Sequence, residues 1–315
     1  MFRCYHSAKV TSEDRWYIAL LAVVFVTAFV LIGVNSLFLH YTGVLYLNRT
    51  LIPLLVPLVI AMAYSIFARE RWPRACFVLR NGGYYTLSVV AMALLATGIQ
   101  FTPFARIDPL LAVWDARLHF NLVDAMGWTN AHPLLRSLLS IGYWSIEAQL
   151  FCVPMMLLLV QDLRFTRVFV FSLLYSALIG YLFYYFFPSS GPASFYASPL
   201  FSEQQRMTYG KFYAVHHFQP VPAADAGLIA FPSFHVVWAV LLVYAGGWNR
   251  WLILPVGLLN ALMIVASVLL GWHFLVDVPA GVLLALASLL LAEWTHRRLG
   301  RLSSQPGAAE LSRGL

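Results

Sequence analysis

Two histidines and an aspartate stand where an imidazole can do chemistry. One lies in Phe231-Pro232-Ser233-Phe234-His235, just ahead of an apolar run; the others lie in Gly271-Trp272-His273-Phe274-Leu275-Val276-Asp277. His273 and Asp277 are four residues apart, so on a helix they share a face and can hydrogen-bond. A carboxylate that holds one imidazole nitrogen fixes the tautomer and makes the other nitrogen a better nucleophile or base. Proline is favoured at the first helical position, so a helix is expected to open at Pro232. Its free N–H groups, with the Ser233 hydroxyl, form an anion site at a helix N-terminus, with His235 one turn in. A third segment, Phe187-Pro188-Ser189-Ser190-Gly191-Pro192, adds Ser190 and Gly191 as substrate-binding candidates.

The elements that must position these residues are membrane spans. At 315 residues, 61% hydrophobic and only 10% charged, the chain is far more apolar than soluble proteins, which are roughly 45–50% apolar. A span needs about 20 mostly apolar residues. That rule picks out about eight: Trp16–Leu39, Leu51–Ala68, Gly83–Phe101, Leu134–Val160, Thr166–Phe187, Pro232–Gly247, Trp251–Gly271 and His273–Trp294. The fold class expected is an all-α polytopic transmembrane bundle. The first run is too long for a signal-peptide core and has no small-residue cleavage site, so it reads as a retained span. Residues 1–101 then form the N-terminal transmembrane helices, 102–133 an amphipathic interfacial segment, 134–296 the catalytic core, and 297–315 a disordered cytoplasmic tail. Between the fifth and sixth spans, Pro188–Phe231 reads as a long polar loop rich in Pro, Ser and Gly, and such loops are usually functional or disordered.

Most of the 20 Lys and Arg residues fall on the side that carries both termini, which makes that side cytoplasmic. All three segments then fall on the opposite, extracytoplasmic face: the fifth span ends there, the sixth begins there and the seventh ends there. The net charge of +7 is not arranged as a basic stripe with interleaved aromatics, so nucleic acid is not an expected partner. Cys4, Cys76 and Cys152 are scattered, which indicates neither a disulfide framework nor a zinc site.

PSxH followed by HxxxD at a span boundary resembles the type-2 phosphatidic acid phosphatase superfamily, which also includes haloperoxidases. Within it, FPSSGP, FPSFH and GWHFLVD are most similar to the inositolphosphorylceramide synthase branch of lipid phosphotransferases. The resemblance covers roughly residues 181–281 and extends weakly back to Asp108. It implies a six-helix phosphatase-like core. It also implies His273 as the nucleophile forming a phosphohistidine, Asp277 as its orienting partner, and His235 as the acid that protonates the leaving alkoxide. The resemblance further implies a phospholipid donor and a lipid alcohol or water as acceptor, and implies neither cofactor nor metal. The general pattern places a Lys and an Arg in its first motif, a Gly at the position of Phe234, and an Arg at the position of Ser267. The synthase branch also dispenses with those cations, so substitute donors are sought in the outward loop: Arg206, Lys211, His216 and His217.

Each of these has a plainer reading as a solvated or packed loop residue. Glu147 and Gln149, in the fourth span, either join helices by hydrogen bonds or, for Gln149 in particular, line the substrate cavity. A polyprenyl- or lipid-phosphate phosphatase is the alternative function. A transporter is disfavoured by the absence of inverted repeats, and a serine hydrolase at Ser190 by the absence of G-x-S-x-G.

Overall fold

The computed structural model describes residues 11–41, 60, 62–65, 71–219 and 229–303. Among them every regular element is helical: α1 Ser12–Phe38, α2 Pro73–Gly98, α3 Asp108–Arg117, α4 Leu122–Asn130, α5 Pro133–Val160, α6 Leu163–Phe186, α7 Glu203–His216, α8 Phe234–Gly246, α9 Arg250–Leu269 and α10 Asp277–Ser303, with a short 3-10 turn at Pro192–Ser194. The local sequence explains where they start. Thr11 and Asp14 form a capping box at α1, as Ser202 and Gln205 do at α7. Asn121, Asp162 and Asn249 accept backbone N–H bonds at the starts of α4, α6 and α9, and Pro73 and Pro133 occupy first-turn positions that need no N–H donor.

Among the described residues, five helices are long and apolar enough to cross a membrane: α1, α5, α6, α9 and α10. The expected count of about eight is therefore met only in part. Helix α8 is apolar but 13 residues long, about 20 Å, against a hydrocarbon core of about 30 Å. Helix α2 is long enough, but Arg74, Arg80 and Asn81 dilute its apolar character. Most of Leu51–Ala68 lies outside the described residues; 60 and 62–65 are helical.

Four further expectations change. The segment 102–133 is two short helices, α3 and α4, and the acidic residues Asp108 and Asp115 of α3 are buried rather than turned to water. Pro188–Phe231 contains α7 as well as loop, with 220–228 outside the described residues. Helix α10 continues through Ser303, past the expected start of a tail at 297, because Leu299 and the Arg residues there sustain a helix; 304–315 lie outside the described residues. Helix α8 opens at Phe234, with Ser233 as its cap and Pro232 just outside it.

The short α8 sits at the middle of the bundle, packed against α5, α6, α9 and α10. Close approach of α10 depends on Gly281, where a Cβ would lie 2.7 Å from the Ser233 carbonyl oxygen and 2.9 Å from Val236 Cβ. At the far end of the bundle, Arg167 at the start of α6 pairs with Asp14 of α1, which also lies 3.9 Å from Arg80 and accepts from Tyr84 at 3.0 Å. Glu13 pairs with His296 at 2.7 Å. This buried ion network ties α1, α2, α6 and α10 together away from the motif residues.

Candidate active site

At the other end of the bundle the chain leaves α9 at Leu269, turns through Gly271 at φ +82°, and enters α10 at Asp277. His273 lies in this turn and not on the helix. Its contact with Asp277 is nevertheless made, because the turn folds back on the first residue of α10. His273 Nδ1 lies 3.1 Å from Asp277 Oδ2 and 2.9 Å from the Ala230 carbonyl oxygen. A carbonyl can only accept, so Nδ1 carries the proton and Nε2 holds the free lone pair. The Phe274 N–H donates to the same Asp277 oxygen at 2.9 Å, and the His273 N–H donates to the Ser267 carbonyl at 2.9 Å. Burial pushes the His273 imidazole down to about 4, against the opposing pull of the Ala230 carbonyl, so the ring is neutral at neutral pH.

His273 Nε2 faces His235 Nδ1 at 3.5 Å. His235 occupies the first turn of α8, where the Ser233 hydroxyl accepts the Val236 N–H at 3.4 Å. Its ring stacks on Tyr143 of α5 at 4.9 Å, and Tyr143 stacks on Trp272 at 5.0 Å with planes 9° apart. Trp238 lies 5.8 Å from the His235 ring, and Trp144 meets Trp272 edge-on at 5.9 Å. The two imidazoles thus sit against an aromatic wall whose outer member, Trp144, is exposed on the helix surface.

The FPSSGP segment reaches the site through Gly191, whose φ of +86° suits glycine. A Cβ there would lie 3.6 Å from the Cβ of Ala230, whose carbonyl accepts from His273, and 3.7 Å from the carbonyl oxygen of Trp272, the residue before His273. The segment's own donors are taken by Asp108. Its Oδ1 accepts from the Ser189 hydroxyl at 2.8 Å, the Ser190 N–H at 3.1 Å and the Gly191 N–H at 3.0 Å. Arg106 donates to the Ser190 hydroxyl at 2.9 Å and lies 3.7 Å from Asp108. Two turns along α3, Asp115 accepts the Leu275 and Val276 N–H groups at 2.9 and 3.0 Å. Burial raises both carboxyls above the usual carboxylate range. For Asp108 the Ser189 hydroxyl, the Ser190 and Gly191 amides and Arg106 pull the other way; for Asp115 the two amides do.

The remaining sequence candidates are held elsewhere. Gln149 is buried between helices, donating to Ser145 at 2.9 Å and accepting from Asn260 of α9 at 2.6 Å; Glu147 is exposed on α5. Arg206 is exposed and donates to the Phe201 and Pro199 carbonyls at 2.8 and 3.4 Å. Lys211 is buried on α7. His216 is stacked between Phe101 and Phe212 at 5.1 and 3.9 Å, and burial lowers its imidazole. His217 is exposed and stacks on Tyr213 at 3.8 Å. The structure therefore brings His235, His273, Asp277 and Ser233 together, sets Ser190 and Gly191 beside them, and ties the others into α5, α7 and their neighbours. Sequence reasoning gave no site role to Arg106, Asp108, Asp115 or Tyr143; the available signals were the weak extension of the resemblance back to Asp108 and a pair of aspartates seven residues apart in an otherwise apolar stretch. Among the described residues, no group of three or more His, Cys, Asp or Glu side chains is arranged to hold a metal ion.

Residues 109–291 match the family model described as PAP2 superfamily. No curated protein and no solved structure matches the chain.

Proposed function

This chain belongs to the PAP2 superfamily, and on that footing we propose that it is an integral membrane enzyme that transfers a phospho-headgroup between lipids through a phosphohistidine at His273. The observation that carries the reading is the His273 ring: Nδ1–H is bound on one side by Asp277 and Ala230, and the Nε2 lone pair points at His235.

In the first half-reaction Nε2 attacks phosphorus, the bond to the leaving alcohol oxygen breaks, and that oxygen takes a proton from His235. In the second, an acceptor hydroxyl returns a proton to His235, its oxygen attacks phosphorus, and the P–N bond breaks. Attacking and leaving atoms lie on opposite sides of phosphorus, with reacting atoms about 3–3.5 Å apart, so the 3.5 Å gap between the rings widens as substrate enters. His273 is tethered through Nδ1, so His235 is the ring that gives way. The Ser233-capped start of α8 offers backbone N–H groups and a helix dipole to the phosphoryl oxygens.

The aromatic wall of Tyr143, Trp272, Trp144 and Trp238 favours an acceptor that arrives from the bilayer. That supports a lipid phosphotransferase of the inositolphosphorylceramide synthase kind over a polyprenyl- or lipid-phosphate phosphatase, which shares every step up to the phosphohistidine. The distribution of Lys and Arg supports cytoplasmic termini and an extracytoplasmic site.

The test uses full-length protein in detergent with EDTA and a phospholipid labelled in its headgroup phosphate. The expected result is an acid-labile, base-stable phosphoenzyme that disappears in His273→Ala. In His235→Ala it should form slowly from a lipid but at near wild-type rate from an activated aryl phosphodiester. Turnover that survives His273→Ala ends the proposal.

A further inference from the structure

Asp108 and Asp115 lie on one face of α3, two turns apart, with relative exposures of 1% and 0%. Neither caps its own helix: the residue before α3, Ile107, makes no side-chain cap. Instead each carboxylate reaches across to a loop from a distant part of the chain. Asp108 gathers Ser189, Ser190 and Gly191, 81 to 83 residues away. Asp115 gathers Leu275 and Val276, about twice as far away, two of the three residues between His273 and Asp277. Burying a carboxylate is costly unless it is hydrogen-bonded, and here backbone amides of two motif loops supply those bonds. A helix is the stiffest short spacer a chain can make, so two anchors on one helix fix the separation of the loops they hold.

We propose that α3 is the positioning element of the active site, with Asp108 and Asp115 clamping the FPSSGP and HFLVD backbones so that Gly191 packs against the His273 turn and Nε2 is presented at one fixed angle. The inference rests on the phosphohistidine reading above. It makes Asp108 and Asp115 positioning residues that act through His273 and Asp277.

The clamp geometry makes the two asparagine variants unequal. At Asp115 the two amides use different oxygens, Leu275 on Oδ2 and Val276 on Oδ1, so Asp115→Asn turns an NH2 group onto one of them. At Asp108 the shortest bond from each of the three residues falls on Oδ1, which Asn keeps; Oδ2 takes only the longer contacts, the Ser190 N–H at 3.3 Å, its hydroxyl at 3.5 Å and Arg106 at 3.7 Å. Phosphoenzyme formation from an activated aryl phosphodiester, measured by rapid quench on the full-length protein, should slow about 10- to 100-fold in Asp115→Asn with KM within twofold. Asp108→Asn should be the milder variant. Because Asp115 acts through the turn that Asp277 also holds, the double variant Asp115→Asn/Asp277→Asn should lose less than the product of the single losses. Losses that multiply, an effect on KM alone, or a wild-type rate in Asp115→Asn would overturn the clamp. Should that variant fail to fold, hydrogen exchange on the wild type decides. The amides of residues 190, 191, 275 and 276 must be protected like helix interior amides, and free-loop exchange rates there overturn the proposal. A wild type that never labels at His273 removes the chemistry; a wild type that labels, beside an Asp115→Asn that labels equally fast, removes only the clamp.

Discussion

Replacing Asp277 by Asn separates the two jobs a carboxylate can do for a catalytic imidazole. One is to fix the tautomer; the other is to stabilise the positive charge that grows on the ring as Nε2 bonds to phosphorus. In many His–carboxylate pairs both are lost together. Here the Ala230 carbonyl is a second acceptor for Nδ1–H, at 2.9 Å and slightly closer than Asp277 at 3.1 Å, so the tautomer survives the substitution. What remains is electrostatic. A full charge about 4 Å from the carboxylate at an effective dielectric of about 20 is worth about 4 kcal/mol, and a ring that has developed half its charge at the transition state feels about half of that. The range is therefore about 2–4 kcal/mol, or about 30- to 1,000-fold. Single-turnover phosphoenzyme formation should slow by that factor in Asp277→Asn while KM stays within twofold. Asp277→Ala, which also frees the Phe274 N–H, should be slower still. A loss below threefold, or one that appears in KM, would show that the carboxylate does not see charge on His273.

Because burial holds the His273 imidazole at about 4 against about 6.5 in an unfolded chain, kcat/KM for an activated aryl phosphodiester, which does not need His235, should stay level down to pH 5; an acid limb centred near 6.5 would refute this. The same shift has a stability sign: the unfolded state binds the extra proton between about 6.5 and 4, so this group's contribution is intact above pH 6.5 and is lost as pH falls toward 4, readable as a falling Tm over that window. Asp14→Ala leaves Arg167 buried beside Glu13 alone at 4.0 Å and should cost about 3–5 kcal/mol; an unchanged Tm in detergent would refute a structural role for the network. Between a phosphodiester and a phosphomonoester with the same leaving alcohol, the diester should have the higher kcat/KM by about tenfold or more, and a preference for the monoester would count against a negative field at the rings.

The meeting of His235, His273 and Asp277 was legible because each sits in a short motif at a helix boundary, and helix boundaries can be read from proline, glycine and capping residues. The contact between His273 and Asp277 was expected for a reason that does not hold, since His273 precedes the helix; the turn at Gly271 brings the pair together instead. What the carboxylates of α3 touch was not legible. An aspartate in a mixed apolar stretch looks the same in sequence whether it faces water or the amides of a loop 160 residues away, and only the fold distinguishes the two. Gln149 shows the same ambiguity resolved toward packing, because Asn260 on a neighbouring helix completes its hydrogen bonds. Among the cations, sequence position drew attention to Arg206 and Lys211 in the long loop. Arg106, which touches a motif serine, lies in a segment that read as interfacial.

The site proposed to take a phosphoryl group is bordered by three buried carboxylates, Asp108, Asp115 and Asp277. Asp108 accepts from a hydroxyl and two amides and Asp115 from two amides, whereas Asp277 accepts from His273 and the Phe274 amide through Oδ2 alone, its buried Oδ1 having no hydrogen-bond partner among the described residues. Hydrogen bonds stabilise the ionised form of these groups without cancelling its charge, and Arg106 lies 3.7 Å from Asp108. In that form each adds a negative field at the rings. Such a field helps a neutral His273 become cationic as it attacks, which is what a phosphohistidine needs. It also repels a dianion more than a monoanion, and the first-motif cations that offset this in the general family pattern are absent. Both effects point the same way: toward a singly charged phosphodiester, and toward an acceptor alcohol that brings no charge of its own.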